Sequence, residues 1–497
     1  MIMNDVVERV RIKDRRGRAG VTVILGVSLA VLSGCSDILQ VDLPAQLGDA
    51  ALTDPTGAEF QVATFIGHYE NGIDDILYEI HGREDVGEAS VGGANRGDFQ
   101  YEVEAGNFNN FSVSRSFAYG LHDKLTDEWT VAEVAKRSEY LAISSMYAGA
   151  NLSWMGSALC EATVDGGAMM TAAQTLTLAE TWLTQSLGEI ASAGGDFEMP
   201  YGIASSAKAQ AYGLRAQTRW MAGDLAGASA DAAQVPQGFY AYVTREDTPD
   251  RDNTTWFQAV SFQSSIMYDV NDWWVGPVNP VTGQAWGDPI AFTGWINLGI
   301  LPDGRAVRED GLPIRTAVGL VTDHPPTADE LANAVADTRA PTFWSELILG
   351  YGTGHVMNRY TGGGADIPMV NWKEMVLIRA EHEGGQAAID YVNVLRTADN
   401  LPLVTYADPT NATQIKYMII EERRRALYLE GRYFFTKIKN TDLLWFPRNV
   451  GAMMIAGNPY YGGVRYIMPR AEFEVNKNLN LDKRGTGCDA GEAPTIL

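Results

Sequence analysis

Aromatic side chains are concentrated in one stretch of the sequence. Five of the twelve tryptophans fall within forty residues, beginning at Trp256, with tyrosine and phenylalanine among them. The flat face of such a ring can stack on the apolar face of a sugar, while neighbouring amides and carboxylates bond its hydroxyls. The candidate ligand-binding residues are Trp273, Trp274, Trp286, Trp295, Tyr268, Asn271 and Asp272. The alternative is that these rings pack the stretch onto the rest of the protein, because large aromatics also dominate cores.

Motifs for catalysis, metals and cofactors are not found in the sequence. The six histidines are scattered, and no Gly-Lys dipeptide is present to form a phosphate-binding loop. The glycines of residues 350–354 lack the third position of a dinucleotide fingerprint. Carboxylates are abundant, so a catalytic acid pair stays open as an alternative, but nothing points to one. We therefore predict a protein without enzymatic activity, cofactor or metal.

The N-terminus has the pattern of an export signal. Six cationic residues within residues 1–18 precede an uncharged, largely apolar run, residues 19–32, which leads to Cys35 through Ser33 and Gly34. The run is too short for a transmembrane helix, which needs roughly 20 residues. The Cys35 thiol can instead carry a thioether-linked diacylglycerol. We predict that residues 1–34 are a lipoprotein signal peptide and that Cys35 is lipidated.

Charge and cysteine content restrict the partners. Removal of residues 1–34 changes the formal net charge from −24 to −27. Such an acidic surface repels phosphates, which argues against nucleic acid as a partner, and contact with a membrane is expected through the lipid anchor only. Cys160 and Cys488 remain; they could pair as a disulfide in an oxidising compartment or stay as two free thiols.

Helical pairs separated by glycine turns predict a mainly α fold. Asp54-Pro55 and the capping box of Thr171 and Gln174 mark helix starts, and turns are predicted at Gly223 and Gly384. Small residues at contact faces suit a degenerate tetratricopeptide-like scaffold. We predict one domain, residues 35–497, with the scaffold at about 54–236 and 369–440, an insertion at about 237–368 with few short strands, and a C-terminal segment at 441–497. Residues 72–118 are predicted as loops, and 413–439 as one long helix.

A charged run, Glu421-Glu422-Arg423-Arg424-Arg425, lies within that last helix. Glu421 and Arg425 form an i, i+4 pair in the favourable order. The pattern predicts a solvated or ion-paired helix face, with an apolar face opposite.

Four segments give the chain a resemblance to the SusD/RagB nutrient-binding lipoproteins. They are the stretch after Cys35 followed by the helix from Asp54, the helical pair at 375–402, the glutamate- and arginine-rich run at 420–432, and residues 467–479. The run at 420–432 is the most specific of these, and the likeness extends from Cys35 almost to the C-terminus.

The resemblance implies a location and a role. A protein of this family would be anchored by lipid at the outer face of the outer membrane, over a SusC-like TonB-dependent barrel transporter. It would capture an oligosaccharide, or less often a peptide, and pass it on without breaking a bond. Two other classes stay open: a periplasmic helical-repeat scaffold for envelope assembly, and a surface glycan hydrolase.

Overall fold

Helices make up most of the described chain, as the sequence predicts. The computed structural model describes residues 52–84, 102–257, 299–307, 327–348, 352–440 and 465–485, all within one compact unit, Ala51–Leu497. The helices are α1 Ala58–Arg83, α2 Ala105–Asp127, α3 Arg137–Ala158, α4 Ala172–Ser192, α5 Ala207–Ala222, α6 Leu225–Ala232, α7 Thr254–Trp256, α8 Ala328–Ala332, α9 Trp372–Glu383, α10 Gly385–Ala398, α11 Ala412–Ala426, α12 Arg432–Lys439 and α13 Arg470–Val475, with 3-10 turns at Pro55–Gly57, Pro200–Gly202 and Leu481–Lys483.

The described strands are short. They are β1 Glu161–Ala162, β2 Met170–Thr171, β3 Tyr240–Val243, β4 Gly299–Ile300, β5 Ala306–Val307, β6 Val335–Ala336, β7 Thr342–Ile348, β8 Gly352–Met357 and β9 Ile367–Asn371. They form the antiparallel pairs β1–β2, β3–β9 and β7–β8 and the three-stranded sheet β5–β4–β6. Six of them, β3 to β8, fall within the predicted insertion.

Helix ends follow the predicted signals. Asp54 caps the 3-10 turn before α1 by accepting from the Thr56 amide, with proline at the first helical position. Thr171 and Gln174 form the expected capping box at α4. The glycine turns also occur where predicted, with Gly223 ending α5 in the left-handed conformation and Gly384 separating α9 from α10. These predictions are confirmed. Each of them was possible because the signal depends on neighbouring residues alone.

Successive helices pack in order from α1 to α6, and α9 then packs on α6, so the scaffold continues in space across the insertion. Helix α3 is buried along almost its whole length. Close approach of α4 explains two glycines in α3: a Cβ on Gly149 would lie 2.6 Å from Leu183 Cγ, and one on Gly156 2.9 Å from Leu176 Cγ. Such distances require a residue without a side chain.

Two apolar clusters form the core. The larger involves α1 to α6 together with α12, and the smaller lies among α9, α10 and α11. Trp154 and Trp220 are 7% and 1% exposed, and Trp182 packs partly buried against the larger cluster. These three tryptophans on helices α3, α4 and α5 therefore belong to the core.

The predicted loops at 72–118 are wrong over the described part of that range. Helix α1 continues to Arg83, and α2 begins at Ala105. The error has a physical cause, because several polar residues here are buried and paired: Asn107 donates to Glu79 Oε1 at 3.3 Å. Polar residues on buried faces removed the hydrophobic periodicity by which a helix is recognised.

The predicted single helix at 413–439 is also wrong. It is interrupted between α11 and α12, where Leu429 and Gly431 have φ of 59° and 72°. A Cβ on Gly431 would lie 2.4 Å from Leu77 Cδ2, so the turn brings the backbone directly against α1. Tertiary packing here overrides a continuous helical pattern.

Candidate ligand-binding site

The sequence-predicted ligand residues lie outside the described residues. This holds for Trp273, Trp274, Trp286, Trp295, Tyr268, Asn271 and Asp272, and also for Cys35 and the signal peptide. Trp256 is described, and it packs partly buried against the larger core cluster. The structure therefore shows how the scaffold holds the two ends of the insertion.

Both ends of the insertion leave the scaffold side by side. Strand β3 pairs antiparallel with β9, with Tyr240 opposite Asn371 and Val243 opposite Ile367. Ala241, Val243 and Val370 are buried in the core, which fixes the register of the pair. The amide of Tyr242 also donates to the Ile203 carbonyl at 2.9 Å. We call this pair and the adjoining loops, residues 244–257 and 362–366, the insertion root.

A buried charge cluster fixes the insertion root to α1. Glu70 and Asp74 lie one turn apart on that helix, and both are nearly inaccessible. The amide and hydroxyl of Thr244 each donate to Glu70 Oε1 at 2.8 Å. Arg245 Nη1 lies 3.2 Å from Asp74 Oδ2, and its Nη2 lies 3.8 Å from Glu70 Oε2. Thr254 Oγ1 donates to Asp74 at 2.8 Å, so one helix holds both ends of the 244–254 loop.

Burial dominates the electrostatics of this cluster. It raises the pKa of Asp74 to about 6, with Arg245 and Thr254 opposing the shift. Burial likewise raises the pKa of Glu70 above its usual value, opposed by Thr244, Arg245 and Arg251. With a pKa of about 6, Asp74 changes its charge mainly between pH 5 and pH 7, which makes this cluster sensitive to pH.

A second contact closes the root around Trp256. Asn253 is fully buried, its amide donates to the Gly363 carbonyl at 2.7 Å, and its side chain donates to the Ala365 carbonyl at 2.8 Å. Its Oδ1 accepts from the Trp256 amide at 2.9 Å, which caps the short helix α7. A Cβ on Gly363 would lie 2.8 Å from Asp247 Oδ1, so the two loops are in direct contact. The first tryptophan of the aromatic stretch is thus held in a defined position.

The charged run of α11 forms a second buried cluster, and it is not the solvated face that was one of the two predictions. All five of its residues, Glu421 to Arg425, are at most 9% exposed. Arg425 donates to Glu421 Oε1 at 2.6 Å and to Asp337 Oδ2 at 2.9 Å. The ion-paired prediction is confirmed. The prediction of a solvated face is wrong, because residues from distant parts of the chain, such as Asp337, pack on this face and pair with it.

This α11 cluster holds other described parts of the insertion. Glu422 accepts from Arg396 on α10 and from Arg339, and Arg339 also forms a bidentate pair with Asp337. Arg396 Nη1 donates to the Gly304 carbonyl at 2.8 Å. Although burial alone would raise it, the pKa of Asp337 is held far below its usual value by Arg339 and Arg425. The pKa of Glu422 is lowered in the same way by Arg339 and Arg396.

Cys160 is disulfide-bonded, and its partner lies outside the described residues. It directly follows α3 and precedes β1. The C-terminal segment runs past it: the Cys160 amide donates to the Tyr466 carbonyl at 3.0 Å, and the Gly485 amide to Glu161 Oε1 at 2.8 Å. The described chain thus comes within three residues of Cys488 next to Cys160.

The described ranges contain neither a helix suited to span a membrane nor a metal-binding group of side chains. Among the described helices, none combines the length and hydropathy that crossing a bilayer requires. Within the same ranges, no group of three or more His, Cys, Asp or Glu side chains is arranged to hold a metal ion.

Most residues of the insertion root carry no recognisable sequence signal. Glu70 and Asp74 are i, i+4 carboxylates on a helix, a pattern that normally predicts a solvated face. Their partners Thr244, Arg245 and Thr254 lie more than 170 positions away. A partial signal exists in Arg245, a charged residue two positions after the end of β3.

Comparisons with known proteins relate this architecture to solved structures. No protein-family model matches the sequence, and no curated protein matches it significantly. A SusD-like carbohydrate-binding protein from Bacteroides vulgatus is similar with a TM-score of 0.53 at 12% identity, over 89% of this chain and 98% of that one. A SusD homolog from Bacteroides thetaiotaomicron is similar with a TM-score of 0.50 at 11% identity, over 88% and 99%.

Proposed function

We propose that this chain, which has the SusD-like fold, is a lipid-anchored, non-catalytic protein that captures an oligosaccharide at the cell surface. The observation that carries the proposal is the fold likeness to a carbohydrate-binding SusD-like protein along nearly the whole of both chains. The tryptophan-rich stretch at 256–295 adds a chemical reason, since exposed aromatic faces suit sugar rings. A peptide is the second ligand class that such a site would accept.

The insertion root supports a binding role because it provides rigidity. A buried strand pair holds the two ends of the insertion together, and charged hydrogen bonds to α1 hold the loop that leads to Trp256. Pre-positioned aromatic groups lose less conformational entropy on binding than mobile ones. In this role Trp273, Trp274, Trp286 and Trp295 stack on sugar, with Tyr268, Asn271 and Asp272 beside them.

The proposed location follows from the predicted anchor, and the proposed partner follows from the resemblance to the SusD/RagB lipoproteins. Lipidation of Cys35 would hold the protein at the outer membrane, facing outward, with no other contact with the bilayer. The captured sugar would pass to a SusC-like TonB-dependent barrel transporter. The acidic chain, with a net charge of −24, disfavours nucleic acid as an alternative partner.

We also propose that Cys160 pairs with Cys488. The bridge would fasten the C-terminal segment beside the end of α3, next to the contact of Gly485 with Glu161. Peptide mapping without reduction should recover one linked peptide that contains both cysteines. A linked peptide joining Cys160 to any other position, or two free thiols, would contradict the pairing.

The test of the main proposal is a binding survey on a soluble version that begins at Ser36. Neutral polysaccharides, oligosaccharides and peptides are titrated while tryptophan fluorescence is followed, and each mixture is then analysed by mass for cleavage products. We expect saturable binding of at least one glycan and no products. Trp273→Ala or Trp286→Ala should weaken binding about tenfold, which corresponds to ~1.4 kcal/mol.

Phe60→Ala is the matched control, because it removes an exposed aromatic ring from the scaffold and not from the insertion. It should bind as the unchanged protein does. Binding of nothing on the panel would favour the periplasmic scaffold, and cleavage products would favour the hydrolase. Equal losses of affinity in Phe60→Ala and Trp273→Ala would contradict a binding site on the insertion.

A further inference from the structure

A cavity of about 420 Å³ opens beside the insertion root, against α1. Its volume falls in the range of about 300–1,000 Å³ that is typical of small-molecule sites. Its described lining contains no tryptophan. The lining residues that matter are Gly67, Glu70, Tyr201, Thr244, Arg251 and Asp366.

Tyr201 contributes an aromatic wall at a conformational cost. Its backbone has φ 59° and ψ 23°, the left-handed region that non-glycine residues avoid, and its side chain is 50% exposed. The flanking Met199 and Ile203 are buried, and the Met199 amide donates a hydrogen bond to the Ala204 carbonyl at 2.9 Å. The loop is therefore held by its ends and presents the ring outward. Burial of the ring does not offset this strain, and uncompensated strain is a feature of functional positions.

The opposite wall is polar and already ordered. Thr244 and Arg251 both contact Glu70, at 2.8 Å and 3.3 Å, and Arg251 also pairs with Glu246 at 3.3 Å. Asp366 is exposed and accepts from the Arg245 amide at 2.8 Å. Among the described lining residues, carboxylates outnumber guanidinium groups, which disfavours an anionic ligand. Fixed donors and acceptors side by side suit hydroxyl groups, which can both donate and accept.

Gly67 leaves the floor of the cavity open. It lies in the interior of α1, where glycine is unfavourable, yet a Cβ at this position would have nothing within 4 Å. A side chain added here would project into free space along the cavity. The position therefore offers a way to fill the cavity without disturbing the core.

We propose that this cavity binds one neutral sugar residue, stacked on Tyr201 and hydrogen-bonded to the Thr244, Arg251 and Asp366 wall. The inference rests on the proposed function and adds to it a second sugar subsite, built on the scaffold side of the insertion root. A longer glycan held by the tryptophan-rich stretch could then be contacted at two places, which increases avidity without a new partner.

Saturation-transfer NMR on the mature chain tests the subsite with small probes. The probes are the methyl glycosides of glucose, galactose, mannose and xylose, with lysine amide as a cationic comparison. We expect transfer to at least one glycoside, and the same transfer with the Trp273→Ala/Trp286→Ala double variant. Gly67→Met and Tyr201→Asn should each reduce it at least fivefold, and Tyr201→Phe should retain it.

The control is Gly188→Met, the same change at an exposed glycine of α4 that also has nothing within 4 Å of a Cβ. It should leave transfer unchanged. Asn tolerates the left-handed region, so Tyr201→Asn is expected to fold even if Gly67→Met does not. Near-ultraviolet circular dichroism checks the fold of each variant.

The possible outcomes distinguish failure of the subsite from failure of the proposed function. Transfer that is lost in the double tryptophan variant, or equal in Gly67→Met and the unchanged protein, would overturn the subsite while the proposed function stands. Transfer from lysine amide but from no glycoside would overturn the sugar assignment. No transfer from any probe, with oligosaccharide binding intact in the survey, would overturn the subsite alone; no sugar binding in either assay would overturn both proposals.

Discussion

The α11 cluster and the insertion root are both buried groups of charges, yet their electrostatics differ in direction. In the α11 cluster, the pKa of Asp337 and that of Glu422 are lowered by facing arginines despite burial. In the insertion root, burial outweighs the arginines, and the pKa of Asp74 rises to about 6. The number of facing arginines explains the difference, because Asp337 faces two guanidinium groups at 2.9 Å, whereas Asp74 has one at 3.2 Å. The α11 cluster therefore keeps its charges between pH 5 and pH 7, whereas the insertion root can respond to pH in that range.

The largest expected effect is loss of a charge from the α11 cluster. Glu422→Gln leaves Arg339 and Arg396 buried without their shared carboxylate, so it should lower the free energy of unfolding by about 3–5 kcal/mol. Urea denaturation measures this. Glu474→Gln breaks the exposed pair with Arg470 and should change stability by no more than about 1 kcal/mol. Similar losses of unfolding free energy in the two variants would contradict a structural role for the α11 cluster.

Thr244→Val should have an intermediate effect at the insertion root. It removes the hydroxyl donor to Glu70 while keeping the size of the side chain and the amide donor. Hydrogen bonds to charged groups contribute about 1.5–3 kcal/mol, and that loss is expected in urea denaturation. The pKa of Glu70 should also rise further, because a donor that stabilises its charged form is gone. A variant as stable as the unchanged protein would show that the root does not depend on this contact.

The pH dependence separates the two clusters directly. The folded state holds the Asp74 proton more tightly than the unfolded chain, whose aspartates titrate near 3.9, so stability from this group rises as pH falls from 7 to 5. Relative to Asp74→Asn, the unchanged protein should gain about 1 kcal/mol over that interval. Asp337 has a lowered pKa, so its contribution is constant from pH 7 to 5 and is lost only in stronger acid.

Asp337→Asn therefore serves as the control for the pH experiment. It should be less stable than the unchanged protein by the same amount at pH 7 and at pH 5. Equal pH slopes for the unchanged protein and Asp74→Asn would place Asp74 in an ordinary environment and remove the contrast between the clusters.

The smallest effect is expected at Gly67, on the same helix as Glu70 and Asp74. Gly67→Ala should raise stability by about 0.5–1 kcal/mol, since the Cβ meets no atom and the unfolded chain loses freedom. Thermal unfolding would record the gain. A loss of stability would show that the helix has no room there, in contrast to the open cavity.

Local chemistry made part of this structure predictable. The cap at Asp54, the capping box at Thr171 and the turns at Gly223 and Gly384 each depend on neighbours in sequence, and each is present. The mainly α class follows from the sum of such signals. The resemblance to the SusD/RagB lipoproteins predicted the same fold that the solved structures show.

Long-range contacts explain what could not be predicted. Nothing near Glu422 in sequence indicates that Arg339 and Arg396 will surround it, and the solvated alternative followed from an ordinary reading of a charged run. Asp74 likewise acquires its raised pKa from burial beneath residues about 170 positions away. The left-handed Leu429 breaks a regular helical pattern because Gly431 must approach Leu77. The ligand residues at 268–295 stay predictions.

A crystal structure of the mature protein with the tightest-binding oligosaccharide from the survey would show where the glycan binds and whether it is intact. We expect an intact glycan whose rings stack on at least two of Trp273, Trp274, Trp286 and Trp295. A glycan bound away from all four tryptophans, or cleaved in the crystal, would contradict this expectation.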